Sequence, residues 1–206
     1  MGPRLLRPDE RPALAAGQPL VWACQADREG REAGRAGLRR QVRLQLAQLL
    51  SHYLGQPADR LGLVFEAGQQ PRLAVDWRGL RLSPSLSYCG ELAIVGLCPG
   101  ADIGIDLTAV TALPDWEGVA RLYLGPLAVA RLARLEPDAR ARQFARDWTG
   151  MEAASKCLGL ALEEWSPARQ QRLQTCRLSA RCVRWPDAPD GAWFAWALAR
   201  MPRANR

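Results

Sequence analysis

Residues 147–156 read Asp-Trp-Thr-Gly-Met-Glu-Ala-Ala-Ser-Lys and form the most specific pattern in the chain. The string ends on Lys156, the only lysine among 28 basic residues, all others being arginines. Lysine is a compact charge that can release a proton, whereas arginine is a permanently charged planar fork. Glu152 lies four residues before Lys156, so both side chains share one helix face. Two interpretations follow: a surface ion pair in an arginine-biased chain, or a functional pair.

Helical periodicity surrounds this string and recurs twice earlier in the chain. Apolar residues at helical spacing predict a helix over 139–160 that ends near Gly159. A long helix is predicted over 28–54, and a helical region over 116–135 is interrupted at Gly125-Pro126. We expect these three segments to form the helices of the fold.

Short apolar runs predict the strands, and residues 1–19 are expected to form an irregular lead-in. The predicted strands cover residues 20–24, 63–65, 73–75, 92–97, 103–107, 173–178, 182–185 and 193–198. Breakers are expected at Gly68, Pro99-Gly100, Pro186, Pro189 and Gly191, and the serine-rich segment 84–90 is predicted to be a polar loop. Because helix plus strands occurs twice, we predict an α+β fold of two similar lobes, residues 1–100 and 101–206.

Composition narrows the class of protein. The 206 residues are 48% hydrophobic and 24% charged, which suits a globular chain with a full core. A net charge of +7 favours an anionic partner, but the excess is spread along the chain, which weakens a nucleic-acid interpretation. The six cysteines lack C-x-x-C spacing, and neither a signal peptide nor a membrane span is evident, so we expect a cytoplasmic protein with reduced thiols. The single histidine, His52, excludes a histidine-rich metal site.

Two carboxylates and the lone lysine are the candidates for chemistry. Asp106 ends a buried apolar strand, where a carboxylate is costly unless it is paired or holds a metal. A structural role and a functional role for Asp106 are about equally compatible with that position. Glu152 would add an oxygen ligand from a helix, and Mg²⁺ is commonly held by one or two carboxylates plus phosphates and water. Lys156, one turn away, suits binding of phosphate oxygens.

Four strings occur in an order that resembles the 4'-phosphopantetheinyl transferase superfamily, in its longer, monomeric, surfactin-synthetase-activating type. The family pattern runs G-K-P, N-x-S-H-S-G, G-[IV]-D-x-E and W-[TS]-x-K-E-[AS]-x-x-K-x-x-G. The matching strings are Gln69–Pro71, Leu86–Gly90, Gly104–Leu107 and Trp148–Gly159. The resemblance spans roughly residues 20 to 200, and the last string carries most of its specificity.

The resemblance implies two α+β lobes related by a pseudo-two-fold axis, with coenzyme A in the cleft between them. It implies Mg²⁺-dependent transfer of the phosphopantetheine arm to a serine of an apo acyl or peptidyl carrier protein, with release of 3',5'-ADP. Such a monomeric enzyme would serve fatty acid, polyketide or nonribosomal peptide biosynthesis. Neither nucleic acid nor a membrane would be a partner, and the acidity of carrier proteins would suit the positive charge.

The resemblance also implies residue roles. Asp106 and Glu152 would bind Mg²⁺, and Glu152 would be the base for the serine hydroxyl, directly or through water. Lys156 would contact the phosphates and assist proton movement. The nucleotide end of coenzyme A would be bound by Ser87, Tyr88, Gln70 and Pro71, with Arg39 or Arg40 at its phosphates.

Among the departures from the family pattern, four remove a charged or titratable side chain. Gln70 replaces a lysine, Tyr88 a histidine, Thr108 a second acid and Met151 another lysine. These losses leave open a catalytically degenerate relative that binds coenzyme A or a carrier protein without transfer. A basic nucleic-acid-binding protein is a third hypothesis, and charge alone supports it.

Overall fold

The computed structural model describes residues 4–66, 69–185 and 192–201. The chain divides into two compact units, with the boundary between Ile103 and Gly104. The breakers expected at Gly68, Pro186, Pro189 and Gly191 lie outside the described residues. Both units combine helices with antiparallel strands, so the α+β class is confirmed.

The first unit is built on a five-stranded sheet of order β1-β2-β5-β4-β3. Its strands are β1 (Leu5–Leu6), β2 (Leu20–Gln25), β3 (Asp76–Trp77), β4 (Leu80–Cys89) and β5 (Leu92–Pro99). All neighbours are antiparallel except β1 and β2, which pair in parallel. The lead-in predicted to be irregular therefore contains a strand, and Leu6 in it is buried in the core.

The first helical prediction is confirmed with one interruption. Two helices, α1 (Arg28–Glu32) and α2 (Gly34–Leu54), replace a single long one. The chain turns between them at Gly34, whose φ of 60° is favourable only for glycine. Leucines and a valine of α2 at helical spacing pack against β2, β4 and β5, and this layer forms the core of the unit.

Two expectations about the first unit are wrong. Residues 63–65 and 73–75 form no strands, only an isolated bridge between Val64 and Arg72. Residues 84–89, predicted to be a loop, instead lie within the ten-residue strand β4. The apolar residues Leu82, Leu86 and Tyr88 alternate with serines at the period of a strand, and the serines masked this pattern. Pro84 is tolerated because β3 pairs only with Leu80 and Arg81, so none of the described strands pairs with Pro84 on the side of β4 away from β5.

The second unit has a three-stranded sheet of order β6-β8-β7, with β6 (Ile103–Ala109), β7 (Arg177–Arg184) and β8 (Trp193–Arg200). Its helices are α3 (Trp116–Tyr123), α4 (Pro126–Leu132), α5 (Pro137–Cys157) and α6 (Pro167–Leu173). Alanines and a cysteine near the end of α5 pack against Ala197 and Ala199 of β8. These small residues let the helix that carries the specific string lie close to the sheet.

The sequence analysis did not predict α6, and it assigned the last residue of this helix, Leu173, to a strand over 173–178. The start of the helix has a clear signal, because Ser166 caps it and Pro167 occupies its first turn. The strand that follows, β7, begins only at Arg177. The remaining strand and helix predictions in this unit are confirmed to within a few residues.

All six cysteines are free thiols. Among the residues that the structure describes, none of the helices combines the length and apolar character needed to cross a membrane.

Candidate active site

Lys156 and Asp106 meet in the second unit. The Nζ atom of Lys156 donates to Asp106 Oδ1 at 2.7 Å and to the backbone oxygen of Ile105 at 3.1 Å. The Asp106 side chain is 10% exposed and that of Lys156 is 25% exposed, so the pair is largely buried rather than on an open surface. The structural interpretation, a surface ion pair between Glu152 and Lys156, is therefore wrong, because the partner of Lys156 is Asp106.

Gly104 explains how α5 comes so close to β6. A Cβ atom at this position would collide with the backbone oxygen of Ala153 and the backbone nitrogen of Cys157, and would lie 2.9 Å from Lys156 Cβ. Only glycine leaves room for the helix backbone at this crossing. Because side chains alternate along a strand, Asp106 lies on the same face as Gly104 and therefore faces α5.

Glu152 completes a group of interacting charges. Burial raises the pKa of the Glu152 carboxyl, and the nearby negative charge of Asp106 raises it further, while Lys156 and Arg169 act in the opposite direction. Asp106 and Glu152 are thus close enough to repel each other across a partly desolvated space. A cation between or beside two such carboxylates would relieve that repulsion.

The donor set at this site fits Mg²⁺. No group of three or more histidine, cysteine, aspartate or glutamate side chains could enclose a metal within the described ranges. Mg²⁺ does not need such a cage, since it commonly keeps several waters and takes one or two carboxylates plus phosphate oxygens. Thr108 lies two residues after Asp106 on β6, hence on the same face of the strand, where its hydroxyl replaces a third acid.

In the first unit the structure groups several of the residues assigned to the coenzyme. The guanidinium of Arg39 lies 6.0 Å from the centre of the Tyr88 ring. Burial raises the pKa of Tyr88, and the positive charges of Arg43 and Arg39 partly oppose that rise. Gln70 contacts β4, the strand that contains Tyr88, because its Oε1 accepts a hydrogen bond from Leu86 N at 3.2 Å. Arg43, four residues after Arg39 on α2, was not assigned to the coenzyme from the sequence, and its guanidinium lies 4.7 Å from the centre of the Phe65 ring.

The other residues assigned to the coenzyme differ in their surroundings. Ser87 is buried in β4 opposite Ile94 of β5. Pro71 is also buried, next to the bridge made by Arg72. Arg40 is exposed on α2 and projects about 100° round the helix from Arg39. Arg43 is therefore better aligned with Tyr88 than Arg40.

Neither of two clefts in the second unit coincides with Asp106, Glu152 and Lys156. The larger, about 640 Å³, lies on another flank of α5 and is lined by residues that include Arg131, Gln143 and Asp147. Within it, Arg131 and Gln143 both donate hydrogen bonds to the Asp147 carboxylate. The charge cluster, not the volume of a cleft, therefore identifies the candidate active site.

Comparison with known proteins agrees with this geometry. The model of the 4'-phosphopantetheinyl transferase superfamily matches residues 102–204, which include β6, α5 and all three clustered charges. The chain belongs to that superfamily.

Two cyanobacterial relatives are each 28% identical to this chain over 163 residues. One, from Synechocystis sp., is provisionally named a 4'-phosphopantetheinyl transferase, and the alignment covers 69% of this chain and 65% of that protein. The other is the 4'-phosphopantetheinyl transferase HetI of Nostoc sp., with 73% of this chain and 69% of the relative covered. The chain thus aligns with about two thirds of the length of these relatives.

Proposed function

We propose that this protein transfers the 4'-phosphopantetheine arm of coenzyme A to a serine of an apo acyl or peptidyl carrier protein and releases 3',5'-ADP. The observation that carries the proposal is the convergence of Asp106, Glu152 and Lys156 on one face of the β6–α5 pair. Two acids and one lysine at a partly buried site suit phosphoryl transfer, in which positioning and charge neutralisation do most of the work.

Each residue has a distinct role in this proposal. Glu152 accepts the proton of the serine hydroxyl, directly or through water, and its raised pKa brings it closer to the strength required of a base near neutral pH. The serine oxygen bonds to the phosphorus that bears pantetheine, while the bond from that phosphorus to the oxygen of the leaving 3',5'-ADP breaks. Lys156 neutralises charge on the phosphate oxygens, and Asp106 fixes the position of its ammonium group.

Asp106 and Glu152 would hold Mg²⁺, with Thr108 on the same face of β6. When bound, the ion would neutralise the phosphates of coenzyme A. Ser87, Tyr88, Gln70, Pro71 and the arginines of α2 would bind its nucleotide end. The pseudo-two-fold relation and the monomeric state implied by the resemblance stay predictions, and so does the cytoplasmic location expected from the sequence.

A second candidate is a relative that binds coenzyme A or a carrier protein without transfer. The four motif departures favour it, and so does the bond that already joins Lys156 to the acid expected to hold the metal. In such a protein the ion pair would be a structural contact between α5 and β6.

Incubation with coenzyme A, Mg²⁺ and several apo carrier proteins, followed by intact-mass measurement, separates the two. If the protein is a transferase, a carrier should gain the mass of the arm, and Asp106→Ala and Lys156→Ala should abolish the gain. Binding of coenzyme A without mass gain on any carrier would favour the second candidate. Salt-sensitive binding of DNA without coenzyme binding would favour neither.

A further inference from the structure

A buried arginine lies beneath the turn of α5 that carries Glu152. Arg169 of α6 is 5% exposed, which is unusual for a charged residue. Its Nη2 atom donates to Ser155 Oγ at 2.9 Å and lies 4.0 Å from Met151 Sδ. Met151 comes one residue before Glu152, and Ser155 comes three residues after it on the same turn of the helix. The guanidinium of Arg169 therefore lies directly beside this turn.

The hydrogen bonds of Arg169 explain only part of its burial. Its Nη1 atom donates to Glu163 Oε2 at 3.2 Å, but the Glu163 side chain is 64% exposed and forms only a weak, solvated pair. Its Nε atom is buried and has no hydrogen-bond partner within the described residues. A buried guanidinium with an unsatisfied donor and one solvated acid is costly for a purely structural residue.

The charged side chains near Arg169 offer a reason for a buried arginine at this position. Asp106 is already paired with Lys156, and Glu152 has no ion-pair partner within 4 Å among the described residues. Asp106 raises the pKa of Glu152, whereas the positive charges of Lys156 and Arg169 lower it. Arg169 is therefore a second cation near Glu152, beside Lys156, whose ammonium is already bonded to Asp106.

We propose that Arg169 is a positioning residue that holds Glu152 in the active site through its positive charge. The proposal rests on the transferase function above. Because Arg169 is buried beneath the turn, we expect it to act on turnover rather than on affinity for coenzyme A. Ser155, whose hydroxyl donates to Met151 O at 2.9 Å, fixes where the guanidinium lies.

Two substitutions separate charge from hydrogen bonding. Arg169→Lys keeps the positive charge but loses the planar fork, whereas Arg169→Gln keeps a donor for Ser155 and loses the charge. We expect kcat for carrier modification to fall about tenfold or more in the glutamine variant and by less than about threefold in the lysine variant. The KM for coenzyme A should stay unchanged in both. Arg172→Gln, at an exposed position of the same helix, is the matched control and should behave as wild type.

A charge swap keeps the proposal testable if the glutamine variant folds poorly. Met151→Lys with Arg169→Met moves the cation to the neighbouring side chain, and we expect it to recover most of the lost kcat. Equal kcat values for the lysine and glutamine variants, or no recovery in the swap, would overturn the proposal. If wild-type protein modifies no carrier, the proposed function has failed, whereas wild-type turnover matched by Arg169→Gln would reject the role of Arg169 alone.

Discussion

Lys156 and Asp106 are 50 residues apart in the chain, yet Nζ and Oδ1 lie 2.7 Å apart. The contact joins the end of α5 to the middle of β6, and both residues come from the strings that define the family resemblance. In the proposed function, this lysine would contact the phosphates of coenzyme A, while the same carboxylate would hold the Mg²⁺ that neutralises them. The pair therefore links the packing of the second unit to its proposed chemistry.

Substituting Lys156 with arginine should lower kcat by about 100-fold, the scale expected when a proton-transfer group is lost. Arginine keeps the charge but cannot release a proton, and its fork does not fit the contacts with Asp106 Oδ1 and Ile105 O. Steady-state transfer assays would measure the effect. Arg172→Lys, the opposite substitution at an exposed position, is the control and should leave activity unchanged. Activity close to wild type in Lys156→Arg would show that any cation suffices at this position.

Gly104→Ala should destabilise the protein by about 2–3 kcal/mol, because the added Cβ collides with the backbone of α5 at Ala153 and Cys157. Backbone atoms cannot move aside without displacing the helix. Gly150→Ala is the matched control within α5, where the new methyl meets only the end of Leu178, a side chain that is 52% exposed. That variant should be neutral or up to about 1 kcal/mol more stable, since alanine is the better helix former. Chemical denaturation of both proteins checks the pair, and similar losses would contradict the close crossing at Gly104.

Glu152→Gln should abolish transfer and yet raise the thermal midpoint by about 1–3 °C at neutral pH. Burial and the charge of Asp106 raise the pKa of Glu152 in the folded protein, so the folded state prefers the protonated carboxyl. The ionised group therefore costs stability as the pH rises above the ordinary value of 4.5 and through the raised pKa. The advantage of the glutamine variant should disappear at acidic pH.

Thermal unfolding across pH tests this, with exposed Glu164→Gln as the control. A glutamine variant that is less stable than wild type at neutral pH would mean that the attraction of Lys156 and Arg169 for Glu152 outweighs its burial and the repulsion from Asp106.

Cys24 should resist alkylation in the folded protein at pH 8. Burial raises the pKa of this thiol to about 12, so almost none of it is thiolate under those conditions. Cys182, which is only half buried, should react first. Mass spectrometry of peptides after brief exposure to iodoacetamide would rank the two, and faster labelling of Cys24 would be inconsistent with its place in the core.

Local patterns predicted the helices and most central strands because their apolar spacing is strong. The strand β4 was missed since serines stand between its apolar residues, and only the pairing with β5 shows that they are buried. The helix α6 is short, and its signal is confined to Ser166-Pro167 rather than to periodicity. Both errors arise where tertiary contacts stabilise a segment whose own pattern is weak.

The candidate site could be assembled from sequence only because its residues belong to ordered motifs. Asp106, Glu152 and Lys156 were assigned to one site through the resemblance, whereas the direct contact between Asp106 and Lys156 and the close approach at Gly104 needed the packed structure. Arg169 could not have been found, since nothing in the string around it distinguishes it from the other arginines. Its burial and its contacts with Ser155 and Met151 are tertiary properties.

Intact-mass spectrometry of apo carrier proteins incubated with coenzyme A, Mg²⁺ and this protein tests the central claim most directly. The account predicts that at least one carrier gains the phosphopantetheine arm with wild-type protein, and that Asp106→Asn leaves the same carrier unmodified. Modification by Asp106→Asn at the wild-type rate, or binding of coenzyme A with no carrier modified by wild type, would contradict it.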